Sequence, residues 1–296
     1  MLTVSAYAKI NLTLEVLGRR ADGYHEVATV LQQIDLKDTL SFKSLAEYRG
    51  ISLDCKHPDL ALSPPSLKYE KPPNLVMEAA NLLQEVTGSR QGAAISIRKR
   101  IPIAAGLGGG ASDAAATLRA LNELWGLGLS LDEMLPLASR LGSDTAFFLY
   151  GGTALGEGRG ERISPLPTLH PSQVLLLRPP VSVPSRKTES LYASLDPSCF
   201  SDGQFTRSMV TSLHQVGKPP PSSFFNAFER IAFATYTGLE EYWRRFFALG
   251  ADNVHLAGSG PTLFTMVQGK AQGQKLYRSL RREGLEAYLV QTMAKG

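Results

Sequence analysis

Four of the five positions from Gly106 to Gly110 are glycine, inside the stretch Lys99-Arg-Ile-Pro-Ile-Ala-Ala-Gly-Leu-Gly-Gly-Gly-Ala-Ser-Asp113. Glycine disfavours both helix and strand interiors, so the backbone has to turn here. Residues 94–98 alternate apolar and polar, as a strand does. After the glycines, Ala114, Leu118, Leu121 and Trp125 recur on one helical face up to Gly126. A glycine-rich turn lets backbone N–H groups converge with no Cβ in the way. The helix behind it adds unpaired N–H groups and the positive end of its dipole. Two readings fit, a cradle for phosphate and a tight strand-to-helix connection. A P-loop is excluded, because no lysine follows the glycines. Gly106, Gly108 and Ala111 spell Gly-x-Gly-x-x-Ala, but a dinucleotide fold needs a second strand next. Here Ser130 and Glu133 instead form a capping box that opens a second helix over 131–141.

Periodicity organises the rest. Val4, Ala6, Ala8, Ile10, Leu12, Leu14 and Val16 share one face of a first strand, and Ser5, Tyr7, Lys9, Asn11, Thr13 and Glu15 share the other. Asp22-Gly23 marks a turn, and 27–34, 35–42 and 48–54 read as further strands. The segment 58–73 is loop-rich, and Asn74 opens a helix that ends at Gly88. Strands are expected at 152–155 and 174–178, and helices at 226–235 and 238–249. The chain closes as strand 253–256, glycine turn, strand 261–267, helix 270–282 and strand 286–291. The segment 217–222 reads as disordered. The pattern is α+β, and the proline-rich stretch 164–171 marks a boundary between segments 1–165 and 166–296.

Of the 296 residues, 43% are hydrophobic, enough for a real core. No apolar run reaches the roughly 18 residues of a membrane span. The patterned strand begins at Leu2, which leaves no room for a leader and favours the cytoplasm. Cys55 and Cys199 lack metal spacing and read as free thiols. The net charge of +4 suits an anionic small molecule, while the dispersed basic residues argue against nucleic acid.

The glycine segment resembles the Pro-x-x-x-Gly-Leu-Gly-Ser/Gly-Ser-Ala-Ser signature of the GHMP small-molecule kinases. That family is named for galactokinase, homoserine kinase, mevalonate kinase and phosphomevalonate kinase. Ala6-Tyr-Ala-Lys-Ile-Asn-Leu12 resembles its N-terminal motif, and Leu256-Ala-Gly-Ser-Gly-Pro-Thr-Leu-Phe264 its C-terminal glycine motif. Together with Gly142-Ser-Asp144, the element Asp22-Gly-Tyr-His25 is similar to the branch that acts on a cytidine-diphosphate-linked alcohol. The resemblance implies a two-domain kinase fold. Its N-terminal nucleotide-binding domain is followed by a substrate domain with ferredoxin-like elements. It implies phosphorylation, by ATP with Mg²⁺, of the 2-hydroxyl of 4-diphosphocytidyl-2-C-methyl-D-erythritol, in a monomer or homodimer. Rival readings are a family kinase for homoserine or mevalonate, and a non-catalytic nucleotide or sugar sensor.

The same resemblance assigns residues. Lys9 and Asp144 would be catalytic, though Lys9 also fits a solvated strand face and Asp144 a helix cap. ATP would meet Pro102, Ile103, Ala104, Ala105, Gly106, Leu107, Gly108, Gly109, Gly110, Ala111 and Ser112. Ser112 would approach the metal or the phosphates, or else cap the helix. Asp113 favours the helix dipole or reaches the metal through water. Asn74 and Lys99 would lie near the adenine, or act as a helix cap and a solvated strand end. Asn11, Tyr24, His25, Thr188, Tyr192, Gly258, Ser259 and Gly260 would bind the cytidine substrate. Ser185-Arg-Lys187 looks like an insertion, which makes Ser185 the alternative to Thr188. Ala104, Ala105 and Ala111 stand where the family commonly has glycine or serine.

Overall fold

The first strand runs past both ends of its apolar pattern, and from Ala8 to Val16 both of its faces are buried. In the computed structural model, which describes residues 1–46, 50–56 and 74–294, β1 spans Leu2–Arg19 and β2 His25–Leu45. The expected strands 27–34 and 35–42 are therefore one. Asp35 does not break the ladder, because its side chain accepts from the backbone N–H of Gln291 at 2.9 Å. The remaining strands are β3 (Ile51–Lys56), β4 (Gly92–Arg98), β5 (Thr153–Gly158), β6 (Arg162–Pro165), β7 (Gln173–Arg178), β8 (Phe225–Asn226), β9 (His255–Leu256), β10 (Leu263–Met266) and β11 (Glu286–Gln291). The helices are α1 (Leu75–Thr87), α2 (Gly109–Leu124), α3 (Leu131–Leu141), α4 (Thr145–Tyr150), α5 (Lys187–Ala193), α6 (Gln204–Val216), α7 (Glu229–Thr235), α8 (Leu239–Ala248) and α9 (Lys270–Arg282).

The residues group into two compact units. The first comprises Met1–Ala8, Leu36–Ile103 and Gly108–Leu149, the second Lys9–Asp35, Ala104–Leu107 and Tyr150–Gly296. The segments 1–165 and 166–296 are a division along the chain. No single cut reproduces the compact units, because β1 and β2 each contribute to both. In the first unit the strand order is β3-β4-β2-β1, and α1, α2 and α3 pack on one another. Asn74 caps α1 by accepting from Val76 N–H at 2.9 Å, Gly88 ends it at φ 70°, and α3 carries the expected capping box. In the second unit β1 pairs with β8 and β2 with β5, and a separate antiparallel sheet runs β11-β7-β10-β9. Its core is built around Tyr236, Phe228, Phe246 and Leu256.

Further expectations need correction. The helix expected to begin near Ala114 starts at Gly109, so two glycines lie in its first turn. Residues 217–222 are ordered chain: Gly217 closes α6, and a single turn at Pro221–Ser223 buries Ser223. Helix α6 itself had no counterpart in the sequence reading. The segment 58–73 lies outside the described residues.

From Lys9 to Glu15 the polar face of β1 is as dry as the apolar one. Thr13 and Glu15 are fully buried, and Lys9 and Asn11 are each 4% exposed. Glu15 accepts from the N–H groups of Thr206 at 2.7 Å and Phe205 at 3.4 Å, capping α6, whose own N-cap Gly203 offers no side chain. Removing this acceptor leaves buried donors unpaired, which costs about 1–3 kcal/mol. Denaturant unfolding of Glu15→Ala is expected to show a loss of that size, and Glu15→Gln a smaller one, since an amide oxygen still accepts. Equal midpoints for wild type and Glu15→Ala would contradict the capping role.

Candidate active site

Gly108, the N-cap of helix α2, holds φ 72° and provides no side-chain cap. The first N–H groups of the helix are thus open to an anion. A Cβ on Gly109 would sit 3.0 Å from Ile101 Cγ2, so the backbone here is held close to β4's end. Ser112 is buried and its hydroxyl donates to the carbonyl of Tyr7 at 2.7 Å. That bond ties α2 to β1 within the first unit.

Lys99 is not a solvated strand end. Its side chain is 10% exposed, and its ammonium lies 2.5 Å from Asp38 Oδ2 and 2.6 Å from Asp113 Oδ2. Asp38 also accepts from Ile101 N–H at 2.9 Å, which fixes the chain entering the glycine turn. Burial raises the Asp113 carboxyl to about 7; Lys99 opposes this and the Asp38 carboxylate reinforces it. Burial disfavours the Lys99 charge, yet the two aspartates outweigh it and raise its pKa. Asp113 is therefore a partner of Lys99 more than a charge for the helix dipole. Its Oδ1 is buried with no hydrogen-bond partner. Asn74, as cap, spends its side-chain oxygen on α1. Asp144 stands directly before α4, after Gly142 ends α3. Among the described residues no three His, Cys, Asp or Glu side chains are grouped to hold a metal ion. The open end of α2 suits the phosphates of a nucleotide, whereas a protein-built metal cage is not assembled.

The chain enters the second unit at Ala104 and leaves it after Leu107. Ala104 has φ 56° and Gly106 φ 84°. Lys9 N–H donates to Leu107 O at 3.0 Å, and Lys9 Nζ donates to Asn11 Oδ1 at 2.8 Å. Asn11 Nδ2 in turn donates to Thr29 Oγ1 at 2.8 Å. A Cβ on Gly258 would lie 3.2 Å from Lys9 Nζ and 3.3 Å from Asn11 Oδ1, so the Gly258–Gly260 turn abuts this pair. Ser259 and Thr188 share a hydroxyl–hydroxyl bond of 2.9 Å. One helical turn beyond Thr188, Tyr192 stacks on His25 with ring centroids 5.0 Å apart, and Phe200 meets the His25 edge at 6.0 Å. Burial, helped by the Arg19 charge, lowers the His25 pKa and favours a neutral ring. Tyr24, 54% exposed, lies under the Arg159 guanidinium at 4.6 Å.

The structure thus joins Lys9, Asn11, Gly258, Ser259, Gly260, Thr188, Tyr192 and His25 through continuous contacts inside one unit. Thr188, and not Ser185, makes the bond to Ser259. Sequence reasoning missed the groups that hold the turn from behind. Asn226 Nδ2 donates to the carbonyls of Leu256 and Gly258, both at 2.8 Å, and the Tyr236 hydroxyl donates to Ser259 O. Neither residue carries a local pattern that would have marked it.

Residues 74–152 match the GHMP kinases N terminal domain, and residues 212–286 match the GHMP kinases C terminal. A 4-diphosphocytidyl-2-C-methyl-D-erythritol kinase of Dehalococcoides mccartyi is 42% identical over 293 residues, 99% of each chain. One of Geobacillus kaustophilus is 41% identical over 95% of this chain and 93% of its own. A crystal structure of 4-(cytidine 5'-diphospho)-2C-methyl-D-erythritol kinase superposes with a TM-score of 0.79 at 33% identity, covering 100% of both chains. A homoserine kinase from Cytophaga hutchinsonii shares the fold at 17% identity, with a TM-score of 0.73. On its two matched domains and its full-length relatives, the chain belongs to the GHMP kinase family.

Proposed function

We propose that this protein transfers the γ-phosphoryl group of ATP to the 2-hydroxyl of 4-diphosphocytidyl-2-C-methyl-D-erythritol, a step in non-mevalonate isoprenoid precursor synthesis. The observation that carries the reading is the run of contacts in the second unit from the His25–Tyr192 ring stack, through Thr188 and Ser259, to the Lys9–Asn11 pair. It puts a platform suited to a flat base at one end and a buried cation at the other. A neutral imidazole beside an aromatic face reads a base edge by hydrogen bonding and stacking.

In this reading the open end of α2 and the glycine turn receive the ATP phosphates. Lys9 offsets negative charge as it builds on the transferring phosphoryl group, and Asn11 orients the substrate. A carboxylate oxygen of Asp144 accepts the proton of the 2-hydroxyl. The deprotonated 2-hydroxyl oxygen then bonds to the γ-phosphorus, the bond to the β-phosphate oxygen breaks, and ADP leaves. Such transfers rest mostly on positioning and electrostatics. Mg²⁺ would be held chiefly by the nucleotide phosphates and would offset their negative charge. A cytoplasmic location accompanies the reading; no helix of the described residues is long and apolar enough to cross a membrane.

A coupled ADP-release assay offering the cytidine alcohol, homoserine and mevalonate is the test. Turnover is expected with the first alone. Equal turnover with homoserine or mevalonate would overturn the substrate assignment. His25→Ala is expected to weaken use of the cytidine alcohol by about 1–3 kcal/mol, the cost of leaving a polar partner unpaired, with the KM for ATP unchanged. Equal loss for both substrates would make the hairpin a structural support only.

A further inference from the structure

Lys187 belongs to the Ser185-Arg-Lys187 stretch that looks inserted in sequence, yet its side chain is not a surface ornament. It is half-buried, and its ammonium donates to Ala104 O at 2.6 Å and to Gly260 O. Those carbonyls belong to two different turns, the phosphate turn and the Gly258–Gly260 turn. Asn226, Tyr236 and Thr188 also hold the second turn. Among the described residues, Lys187 is the side chain of this group that reaches the first turn as well. The turns are pressed together with no slack: a Cβ on Gly106 would lie 2.0 Å from Ala257 O and 2.9 Å from Gly260 N.

Backbone strain singles out the same bond. Among the described residues the non-glycine positions with left-handed φ are Ala104 at 56° and Arg186 at 55°. One supplies a carbonyl that Lys187 holds, and the other immediately precedes Lys187. Such conformations cost stability and persist where the surroundings over-determine them, most often at functional sites. We propose that Lys187 is a positioning residue of phosphoryl transfer: its ammonium ties the carbonyls of Ala104 and Gly260 together and fixes the phosphate turn against the turn beside Lys9 and Asn11. The inference rests on the kinase reading above.

The charged form matters, because an ammonium has a donor for each carbonyl and one to spare, and its charge strengthens both bonds. Burial pulls Lys187 down to about 7, and the Lys9 charge adds to the effect. Other ionisable groups near it act little. Arg186 and Glu189 of its own segment pair with each other at 3.4 Å, the two turns carry no ionisable side chain, and burial pushes the Tyr236 hydroxyl up to about 12. The charge that strengthens both bonds is therefore lost as pH rises through about 7 in the free enzyme.

Steady-state kinetics with ATP and the cytidine alcohol on wild type, Lys187→Met and Lys187→Arg test this, alongside amide hydrogen exchange of the same proteins. Lys187→Met is expected to lower kcat by about 10–100-fold, the scale of a roughly 1 Å misplacement, with both KM values within about threefold. Lys187→Arg restores most of kcat, and its kcat/KM lacks the decline above about pH 7 that wild type shows. Exchange at 104–107 and 258–260 rises in Lys187→Met and not elsewhere. A folded Lys187→Met with wild-type kcat overturns the proposal, as does a Lys187→Arg that keeps the wild-type pH profile. Should wild type leave the cytidine alcohol unphosphorylated, the substrate reading fails, and unchanged exchange in both turns is then the result that overturns the role of Lys187.

Discussion

Asp144→Asn is expected to slow phosphoryl transfer by roughly 10²–10⁴-fold, the usual contribution of a positioned acid–base group. The amide keeps the shape of the carboxylate and can still precede α4, so the fold is expected to hold. What it loses is negative charge and the ability to take the hydroxyl proton. Both substrates are expected to bind as before, which places the effect in kcat. Rapid-mix single-turnover measurement is the proper readout, because slow product release can hide a chemical defect in steady state. Lys9→Ala is expected to impair the same step, and the double variant to lose less than the sum, as residues acting as one unit do. If Asp144→Asn transfers phosphate in a single turnover as fast as wild type, Asp144 is a helix cap and the proton goes elsewhere.

Gly106→Ala is expected to be the most disruptive small substitution in the second unit. The added Cβ would stand 2.0 Å from Ala257 O, a contact that only backbone movement can relieve. Overpacking of this kind costs about 1–3 kcal/mol, and left-handed backbone at φ 84° adds about 1–2 kcal/mol for any residue with a Cβ. The expected loss is about 2–5 kcal/mol of stability. Relief by shifting residues 257–260 would also move Gly260 O from Lys187 and Gly258 from the Lys9–Asn11 pair. Turnover is therefore expected to fall even at temperatures where the variant stays folded. Calorimetric unfolding and kinetics on one preparation separate the two effects. A variant with both wild-type melting and wild-type turnover would show that the turns have room the geometry denies them.

Local pattern explains why some of this was legible and some was not. The capping box at Ser130, the Asn74 cap and the Gly88 stop are encoded within a few residues, and each stands where the sequence places it. Helix 270–282 and strand 286–291 emerge with the same bounds, because their apolar spacing is undisturbed. Helix α6 went unread because its N-terminal partner, Glu15, is 191 positions from Thr206. Long-range partners also changed the meaning of residues that looked ordinary. Lys99 reads as a strand end until Asp38 and Asp113 close on it. Lys187 reads as part of an insertion until its two carbonyls are seen. Motif likeness named Lys9, Asn11, His25, Thr188 and Tyr192, and the structure brings those five into one connected set. Asn226 and Tyr236, which fasten that set, belong to no local motif.

The double burial of β1 has a consequence for assembly. An ordinary half-exposed strand is guarded against misalignment on one side only, since its outer side chains tolerate either position. Between Ala8 and Val16 strand β1 has no tolerant side. Sliding it by one residue would exchange its two faces, driving Lys9 and Glu15 into apolar surroundings without their partners and leaving Asn11 and Thr13 unsatisfied. Each stranded charge alone would cost several kcal/mol, against a total stability of about 5–15 kcal/mol for a domain. A misaligned sheet is thereby strongly disfavoured. The same penalties that fix the register of β1 therefore also fix the place of Lys9, the cation proposed to serve phosphoryl transfer.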